Sequence, residues 1–529
     1  MRDFHQPQRS ALHVANGAIA TSHPLASQTG LSVLKSGGNA VDAAIAAAAV
    51  QAVVEPAMTA IGGDGFAMVA KPGQPLYGLN ASGRAAGALS TDMLVGQGWS
   101  EMDLLSPHSV TVPGVIKCWE SLMESHGSIG LEAALQDAIH YAEHGFAIQP
   151  RVGADWVEDE WKLIRQGGGA RHYLVNGKAP KVGSILKLPA LAETLKIIAK
   201  LGAKGFYEGE VAADMIAELK ARGGVMTEED LAGVSADPVE PVLSSYRDIE
   251  VAELPPNGVG ITAHLIMNIM ETFDLESLAP NSAERFHLEM EASRIGYAMR
   301  DRHISDPDTM TVRVEDLIAK DFARELAKTI DPAKRNETLP VPDPLRQSDT
   351  IYLSCVDRDG MAVSFINSIF KGFGSGIVTE KTGILFQNRG GGFVVKPGHP
   401  NTIEGGKRPL HTIIPAMALK DGKVTHSFGV MGGQYQPVGH THVVTNMVDY
   451  GMDPQEALDA PRVFWDTDGV IQLETTSGTD VFEGLKQRGQ PVGYATTPHG
   501  GGQIIEIDHE NGTLIAGSEP RKDGCAMGY

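Results

Sequence analysis

Residues 348–357 read Ser-Asp-Thr-Ile-Tyr-Leu-Ser-Cys-Val-Asp, and residues 359–364 continue as Asp-Gly-Met-Ala-Val-Ser. The polar approach leads into a run of β-branched, aromatic and aliphatic residues, and a second such run follows the Asp-Gly turn. This pattern predicts two neighbouring strands joined by a turn. Thr350 is the first residue of the leading strand that can be buried, so the chain passes from solvent to core at this threonine.

Thr350 has a chemical use if the backbone is cut between Asp349 and Thr350. The threonine would then be a new amino terminus that holds both a hydroxyl nucleophile and an α-amine base. An α-amino group has a pKa of about 7.7–8.0, so a useful fraction is unprotonated near neutral pH. A threonine paired with its own terminal amine is an established nucleophile–base arrangement. Taken alone, Thr350 reads as an ordinary strand threonine, and the surrounding motifs decide between the two interpretations.

The sequence before Thr350 is mainly of helical type. Asn39 can cap a helix that continues through Val54, since Asp42 stands three residues later and a run of alanines follows. Because this segment is apolar nearly all round, we expect it to be buried. Four further segments have helical patterns: Gly130–His144, Leu188–Leu201, Val211–Arg222 and Ala283–Arg302.

The sequence after Thr350 has the alternating or continuous apolar runs that are typical of strands. These runs are Ile351–Val356, Ala362–Ile366, Thr412–Leu419, His426–Val430 and Gly502–Ile507. The segment Asp331–Gln347 contains four prolines among charged residues, so we expect an exposed connector there. On these patterns alone the chain is a mixed α and β protein.

The composition narrows the classes of function. The chain has 529 residues, 42% of them hydrophobic, and a formal net charge of −21, which argues against nucleic acid or an anionic membrane surface as a partner. Its three cysteines, Cys118, Cys355 and Cys525, are too few and too scattered for a disulfide framework or a zinc site. The first 20 residues lack the apolar block of a secretory signal, and the most apolar stretch, Ala40–Val54, is too short to span a bilayer. We therefore expect a cytoplasmic protein with no membrane partner.

Short motifs recur along the whole chain and are informative as a set. They are Lys35–Ala44, Gly62–Phe66, Pro113–Gly114, Gly223–Leu231, Asp349–Ile377, Gly383–Leu385, Lys396–Gly398, Lys407–Leu410, Gly432–Gly433 and Asp449–Met452. In this order they resemble the γ-glutamyltransferase (γ-glutamyltranspeptidase) family of N-terminal-nucleophile hydrolases, whose small subunit starts at a segment similar to Asp349–Ile377. Several motifs in one order are more specific than any one of them, and the resemblance covers nearly the whole chain.

The resemblance implies both a fold and a catalytic apparatus. The implied fold is a four-layer αββα sandwich made of two fragments of one precursor, the large fragment 1–349 and the small fragment 350–529. Thr350 is the implied nucleophile, Ser368 is a second hydroxyl that orients it, and Gly432-Gly433 supplies the backbone N–H groups that stabilise the oxyanion. Glycine suits that position because the backbone must approach the reacting carbonyl closely. The resemblance implies no cofactor.

The substrate-binding positions depart from the family pattern. At the place of the family's carboxylate-binding arginine stands Ser82, with Arg84 two residues later. The family's asparagine after the second hydroxyl is replaced by Phe370, and its aspartate that binds the substrate amino group is replaced by Gly392. Its serine pair becomes His411-Thr412. These are the positions at which we expect substrate specificity to differ.

Arg389 adds a planar guanidinium that is suited to binding a carboxylate. The change to Gly392 removes the obvious partner of a substrate ammonium, and a buried unpaired cation is costly. We therefore expect a pocket for an anionic acyl group that does not depend on an α-amino group. The pattern resembles the branch of the family that includes oxamate amidohydrolase and glutaryl-type (cephalosporin) acylases. Whether Arg84 or Arg389 meets the substrate carboxylate stays open, as do an ion-pairing role for Arg389 and a purely structural role for His411.

The expected function is hydrolysis of γ-glutamyl or related short acidic acyl amides through an acyl-enzyme, with transfer to a second amine as a further option. The alternative is an oxamate-type or glutaryl-type amidohydrolase or acylase without γ-glutamyl specificity. A processed relative that only binds ligands is a third interpretation, against which the intact Thr350, Ser368 and Gly432-Gly433 argue. A nucleotide-dependent enzyme lacks support, because Gly62–Gly65 has no Gly-Lys-Ser/Thr ending. We expect this glycine run to let the backbone pass close to the site.

Two histidines are candidate metal ligands. His440 and His442 could ligate a metal from one face of a strand, but no third ligand has convincing spacing, so we expect no metal site. The expected partners are a small-molecule amide and the chain's own two fragments, with no nucleic acid. A homodimer of the cleaved heterodimer is one oligomeric state that the sequence leaves open.

Overall fold

Thr350 leads directly into the strand Ile351–Val356, and Ala362–Ser368 returns beside it in antiparallel register. This computed structural model describes His5, residues 8–340 and residues 350–529. The hairpin that the sequence predicts is therefore confirmed, and every residue of both strands is buried.

Two seven-stranded sheets form the centre of the molecule, and all of their pairings are antiparallel. The sheet that contains the leading strand, the Thr350 sheet, has the spatial order Ala526–Gly528, Ala18–Ala20, Ile351–Val356, Ala362–Ser368, Asp64–Ala70, Tyr77–Ala81 and Asp237–Val239. The other, the Gly432 sheet, has the order Leu12–Val14, Thr513–Ser518, Gly501–Asp508, Lys423–Met431, Ala416–Lys420, Ile249–Glu253 and Val242–Tyr246. Both sheets combine strands from before and after Thr350, so a cut at its amino side would leave the two fragments hydrogen-bonded together.

Two smaller sheets complete the β-structure. One contains Val463–Trp465, Ile471–Leu473 and Val492–Tyr494, and the other pairs Phe146–Ala147 with Ile185–Leu186.

Three hydrophobic cores show how the layers stack. Because side chains alternate along a strand, Leu353 of the leading strand enters one core while its neighbour Tyr352 enters another. The core around Tyr352 lies between the sheets, since it also contains Met417 and Ile505 of the Gly432 sheet. The two outer cores each join one sheet to a set of helices. The order helices, sheet, sheet, helices is the αββα arrangement, and this prediction is confirmed.

The helices fall into two sets according to the core that they join. Those that pack on the Thr350 sheet are Pro24–Lys35, Ala40–Val54, Thr91–Gly96, Val115–His126, Leu131–Ala134, Gln136–His144, Pro150–Arg165, Gly168–Tyr173, Pro189–Leu201, Lys204–Tyr207, Gly209–Ala221 and Glu228–Ala232. Those that pack on the Gly432 sheet are Gly260–Met270, Ala283–His303, Val314–Leu317, Lys320–Ala327, Gln436–Val448, Pro454–Asp459 and Thr479–Gln487. The 3-10 turns are Pro107–Ser109, Pro307–Thr309, Arg389–Gly392, Gly433–Tyr435 and Thr475–Ser477. Among the described residues, no helix is both long enough and apolar enough to cross a bilayer.

Most of the predicted elements are confirmed. Asn39 caps the helix Ala40–Val54 in a reciprocal capping box with Asp42, and all of its residues are buried. The segment Gly130–His144, predicted as one helix, forms two: the short helix Leu131–Ala134 and the helix Gln136–His144, with a break at Leu135.

The strand predicted over Thr412–Leu419 begins only at Ala416. The residues before it bind other partners: the Thr412 hydroxyl accepts from Arg389, and the Ile414 N–H donates to the side chain of Gln436. The connector predicted over Asp331–Gln347 is described only to residue 340, and that part is largely exposed. Its remainder, together with Asp349, lies outside the described residues.

Candidate active site

Thr350 and Ser368 stand at the same end of the central hairpin. Ile351 pairs with Asn367 at the open end of the hairpin. Thr350 and Ser368 are the next residues beyond this pair, and they face each other. Their hydroxyl oxygens are 3.1 Å apart, and both side chains are buried. The backbone N–H of Phe370 donates to Ser368 Oγ at 2.9 Å, which fixes that oxygen beside Thr350. The structure thus brings together the two predicted hydroxyls.

Arg389 lies behind this hydroxyl pair. One terminal nitrogen, Nη2, donates to Ser368 Oγ at 3.0 Å, and Nη1 donates to Thr412 Oγ1 at 2.9 Å. The guanidinium also stacks on the ring of Phe370, 4.5 Å from its centroid. Within the described part of the chain it forms no ion pair with a carboxylate, and burial lowers its pKa. A cation without an anionic partner therefore stands one hydroxyl away from the candidate nucleophile.

Phe370 holds an unusual backbone conformation at this point. Its φ is +78°, a region that is strained for a bulky side chain. The strain coincides with two contacts already described, its N–H on Ser368 and its ring on Arg389. Phe370 thus positions Ser368 through its backbone N–H and Arg389 through its ring.

Asp64 and His411 form a second buried pair beside the first. His411 Nε2 lies 3.1 Å from Asp64 Oδ2, and Asp64 Oδ1 accepts from Gly83 N, Gly114 N and Gln387 Nε2 at 3.0, 3.2 and 3.0 Å. Burial, and then the charge of Arg389, lower the pKa of His411 to about 3. The imidazole is therefore neutral at pH 7 and donates its single N–H to Asp64. Sequence reasoning missed this role of Asp64, whose only signal was its place in the motif Gly62–Phe66.

The glycines of that motif behave as predicted. A Cβ atom on Gly63 would lie 2.3 Å from the carbonyl oxygen of Ser368, so the backbone passes against the site without room for a side chain. The close approach expected of this run is confirmed.

Gly432 and Gly433 follow the strand Lys423–Met431, and Gly433 opens the 3-10 turn that ends at Tyr435. Their φ angles are +123° and +54°, which glycine adopts without strain. A Cβ atom on Gly432 would lie 2.7 Å from the Cα atom of Gly500. Conformation and space therefore both require glycine at position 432.

A cavity of about 720 Å³ joins Thr350 and Gly432, since both residues line it. Two further lining residues, Lys371 and Asn388, follow Phe370 and precede Arg389 in the chain, and neither was predicted. Its lining also includes five residues with aromatic rings: Trp161, Tyr435, Phe464, Trp465 and His499. The volume falls in the range of about 300–1,000 Å³ that is usual for small-molecule sites.

Gly392, which we expect to replace the family's aspartate, lies in the turn Arg389–Gly392. A Cβ atom there would lie 2.3 Å from the carbonyl oxygen of Leu410. A side chain at position 392 would therefore meet the backbone of the neighbouring segment.

The predicted substrate-binding residues are not among those that line this cavity. Phe370, Arg389, Gly392, His411 and Thr412 are buried, and Ser368 stands between Arg389 and Thr350.

Arg84 lies at another place on the molecule. It donates to the carbonyl oxygen of Gly406 at 2.9 Å and lies 3.9 and 3.8 Å from the carboxylates of Asp237 and Asp306. Its side chain is 40% exposed and borders two other surface pockets. The adjoining Ser82 is buried and binds Asn80.

His440 and His442 each face a carboxylate of a different strand or helix. His440 Nδ1 lies 2.7 Å from Glu253 Oε1, and His442 Nδ1 lies 3.1 Å from Glu289 Oε2. Among the described residues, no group of three or more His, Cys, Asp or Glu side chains could hold a metal ion.

Comparison with known proteins agrees with this geometry. The family model described as gamma-glutamyltranspeptidase matches residues 26–529. The glutathione hydrolase-like YwrD proenzyme of Bacillus subtilis is 35% identical over 527 residues, which are 96% of this chain and 98% of that protein. The oxamate amidohydrolase proenzyme of Klebsiella pneumoniae is 34% identical over 534 residues, 97% of this chain and 98% of that one.

A solved structure shows the same fold. The cephalosporin acylase from Bacillus halodurans superposes with a TM-score of 0.93 at 37% identity, over 100% of this chain and 98% of that chain. Sequence match and shape both extend over nearly the whole length. The chain therefore belongs to the gamma-glutamyltranspeptidase family and is an enzyme of the hydrolase class.

Proposed function

We propose that this chain is a self-cleaving amidohydrolase whose nucleophile is Thr350. The observation that carries the proposal is the pair of buried hydroxyls, Thr350 Oγ1 and Ser368 Oγ, 3.1 Å apart beside a cavity that Gly432 also lines. A threonine with a purely structural role would pack against side chains, whereas a nucleophile needs space for a substrate carbonyl. Gly432 lines the same space, and backbone N–H groups beside it are what a developing oxyanion needs.

The first reaction is the cut between Asp349 and Thr350. Thr350 Oγ attacks the carbonyl carbon of Asp349, the peptide C–N bond breaks, and the freed nitrogen takes a proton to become the α-amine of Thr350. Water then hydrolyses the resulting ester, which restores the hydroxyl and leaves a carboxylate on Asp349. The products are the fragments 1–349 and 350–529. Relatives that are named proenzymes support this step.

Turnover repeats the chemistry on an external amide. The α-amine of Thr350 takes the hydroxyl proton, the oxygen attacks the substrate carbonyl, and the amine leaves with a proton. Ser368 orients the attacking oxygen, while the backbone N–H groups of Gly432-Gly433 stabilise the oxyanion by about 3–4 kcal/mol each. Water then releases the acyl group, and transfer to a second amine is the competing outcome.

The acyl group is short and anionic. Arg389 supports this because its buried charge has no carboxylate partner among the described residues and lies next to Ser368. A substrate carboxylate would supply the missing compensation. An α-ammonium is not required, because backbone fills the place of the aspartate at Gly392. Oxamate-type and glutaryl-type amides are therefore favoured over strictly γ-glutamyl ones.

Mass spectrometry of the purified protein tests the cut. We expect two fragments, 1–349 and 350–529, and an intact, inactive chain for Thr350→Ala. Thr379→Ala is a matched control, because Thr379 is also buried but its hydroxyl binds only Thr382 and the N–H of Ile384. An active wild-type chain that is uncut, or a Thr350→Ala chain that is still cut, would overturn the proposal.

Substrate specificity is tested on the matured protein with γ-glutamyl-anilide, glutaryl-anilide and oxamate. We expect glutaryl-anilide or oxamate to be turned over at least as well as γ-glutamyl-anilide. A strict requirement for the α-ammonium would contradict the acyl assignment, and processing without any turnover would favour a binding protein. The cytoplasmic location and the dimer of heterodimers stay predictions.

A further inference from the structure

We infer that a buried cluster of two arginines and two glutamates positions the oxyanion turn, by holding the segment His499–Gly502 against Gly432. The four residues, the ion cluster, are Arg462, Glu474, Glu519 and Arg521. The inference rests on the proposed role of Gly432-Gly433. None of the four residues touches Thr350 or Gly432, so they act through the backbone of the segment between.

The ion cluster is continuous. Arg462 Nη2 lies 2.7 Å from Glu519 Oε2, and Arg521 Nη1 lies 2.9 Å from Glu519 Oε1. Arg521 also binds Glu474 with two nitrogens, at 2.8 and 2.5 Å. Burial alone would raise the pKa of Glu474, but its hydrogen bonds and ion pair with Arg521 lower that pKa to about 2. Burial would likewise raise the pKa of Glu519, but Arg462 and Arg521 lower it, so both glutamates are charged across the neutral pH range.

The cluster binds the backbone of the segment at three points. Arg462 Nη1 donates to the carbonyl oxygen of His499 at 2.8 Å, and the His499 N–H donates to Glu474 Oε1 at 3.1 Å. The N–H of Gly502 donates to Glu519 Oε2 at 2.7 Å. Both backbone groups of His499 are thus fixed by side chains of opposite charge.

Gly500, between those points, meets the oxyanion turn at backbone distance. A Cβ atom on Gly432 would lie 2.7 Å from Gly500 Cα, and one on Gly500 would lie 2.6 Å from the carbonyl oxygen of Met431 and from the ring of Tyr435. Met431 also pairs with Gly501 across the sheet. Any displacement of Gly500 is therefore passed on to the turn that holds Gly432.

The segment needs such support because it borders open space. His499 and Gly500 line the cavity of about 720 Å³, and Thr496 and Pro498, which lead into the segment, line both that cavity and a second one of about 580 Å³. A stretch beside cavities lacks part of the packing that fixes a core loop, and this one has no regular secondary structure between Tyr494 and Gly501. Charged hydrogen bonds from the ion cluster replace that packing.

A displaced oxyanion turn should change kcat and KM in different ways. An oxyanion forms only in the transition state, so a misplaced turn lowers kcat and leaves KM nearly unchanged. Loss of one oxyanion donor costs about 100–1,000-fold in kcat in comparable enzymes, and we expect a displaced donor to cost about tenfold or more.

The test uses the matured enzyme with glutaryl-anilide as substrate. One variant alters the ion cluster, and the other alters the contact between Gly500 and the oxyanion turn. Arg462→Lys keeps the charge but cannot reach both Glu519 and His499, and Gly500→Ala pushes directly on the turn. Arg285→Lys is the matched control, because Arg285 is also fully buried yet binds Pro280 and Thr445 instead. We expect kcat to fall about tenfold or more in both test variants, with KM within about twofold of wild type. Arg285→Lys should keep the wild-type kcat even where its unfolding temperature falls as far as that of Arg462→Lys.

Active-site titration with a covalent inhibitor counts the folded, processed sites, so that kcat refers to these alone. A wild-type kcat per titrated site in Arg462→Lys and Gly500→Ala would overturn the inference and leave the proposed function standing. A wild-type enzyme that is neither cut nor active would overturn the proposed function itself, and this inference with it.

Discussion

Arg389 and Arg462 are both fully buried, and they differ in what balances their charge. Arg462 lies 2.7 Å from Glu519 and also donates to the carbonyl oxygen of His499. Arg389 donates to the hydroxyls of Ser368 and Thr412, and among the described residues it pairs with no carboxylate. A buried cation is costly unless its surroundings replace its lost hydration. An ion pair with Glu519 offsets that cost for Arg462, whereas Arg389 has only hydroxyl acceptors in direct contact.

The difference assigns separate tasks to the two residues. The charge of Arg462 is balanced whether or not a ligand is bound, so its effect is on the position of the surrounding backbone. The charge of Arg389 is balanced only by the more distant Asp64, and burial lowers its pKa. A bound anion would complete its surroundings. Binding and stability should therefore respond in opposite ways to loss of each arginine.

The largest effect on catalysis is expected for Arg389→Leu, measured as kcat/KM for glutaryl-anilide. Loss of a charged contact worth about 3 kcal/mol lowers this constant about 100-fold. The unfolding temperature should change little, because the variant removes a buried charge that forms no ion pair with a carboxylate among the described residues. Acetanilide, which has no carboxylate, is the control substrate and should lose much less. A fall that is equal for both anilides would show that Arg389 positions Ser368 without binding the acyl group.

Arg462→Leu, unlike Arg389→Leu, should lower the stability of the fold. It leaves Glu519 buried with one partner fewer, and breaking a buried ion pair costs about 3–5 kcal/mol. A lower urea midpoint and unfolding temperature are the measurements. The double variant Arg462→Leu/Glu519→Leu should recover part of the loss, since it removes both charges. A smaller destabilisation by Arg462→Leu than by Arg389→Leu would reverse the comparison.

Gly392→Asp tests whether an aspartate, which the family pattern has at this position, restores binding of a substrate α-ammonium. The new side chain would begin 2.3 Å from the carbonyl oxygen of Leu410. We expect a loss of about 1–3 kcal/mol from overpacking and no gain in γ-glutamyl-anilide hydrolysis. Gly96→Ala is the control, because nothing lies within 4 Å of its Cβ position. Efficient γ-glutamyl turnover by a stable Gly392→Asp variant would show that charge alone, and not space, separates this pocket from the family's.

The comparison also marks the limit of what sequence patterns predict here. Thr350 and Ser368 were predictable because both lie in the segment Asp349–Ile377, which resembles the start of the family's small subunit. The helix after Asn39 and the alternating strands follow from local propensity. The sequence identified Arg389 as a cation near the site, but the absence of a carboxylate around it depends on tertiary packing that no local pattern encodes.

Contacts between distant segments account for the residues that were missed. Asp64 meets Gln387 and His411 only because separate strands and loops converge. Arg462 and Glu519 are 57 positions apart and share no periodicity. The late start of the strand at Ala416 has the same cause, since side chains rather than a neighbouring strand bind the residues before it.

The smallest expected effect concerns pH and His411. In the matured enzyme kcat/KM should rise with pH through about 7.7–8.0, as the α-amine of Thr350 loses its proton and can act as a base. His411, whose pKa burial lowers to about 3, is neutral at every pH in this range and adds no step of its own. His411→Gln should therefore lower the rate, because Asp64 loses its imidazole partner, but leave the midpoint pH unchanged. His264→Gln, which alters a buried histidine in the other helical layer with a pKa of about 4, should change neither rate nor midpoint. A step near pH 6.5 that disappears in His411→Gln would instead make this imidazole a base, and the terminal amine would lose the role that defines Thr350 as the nucleophile.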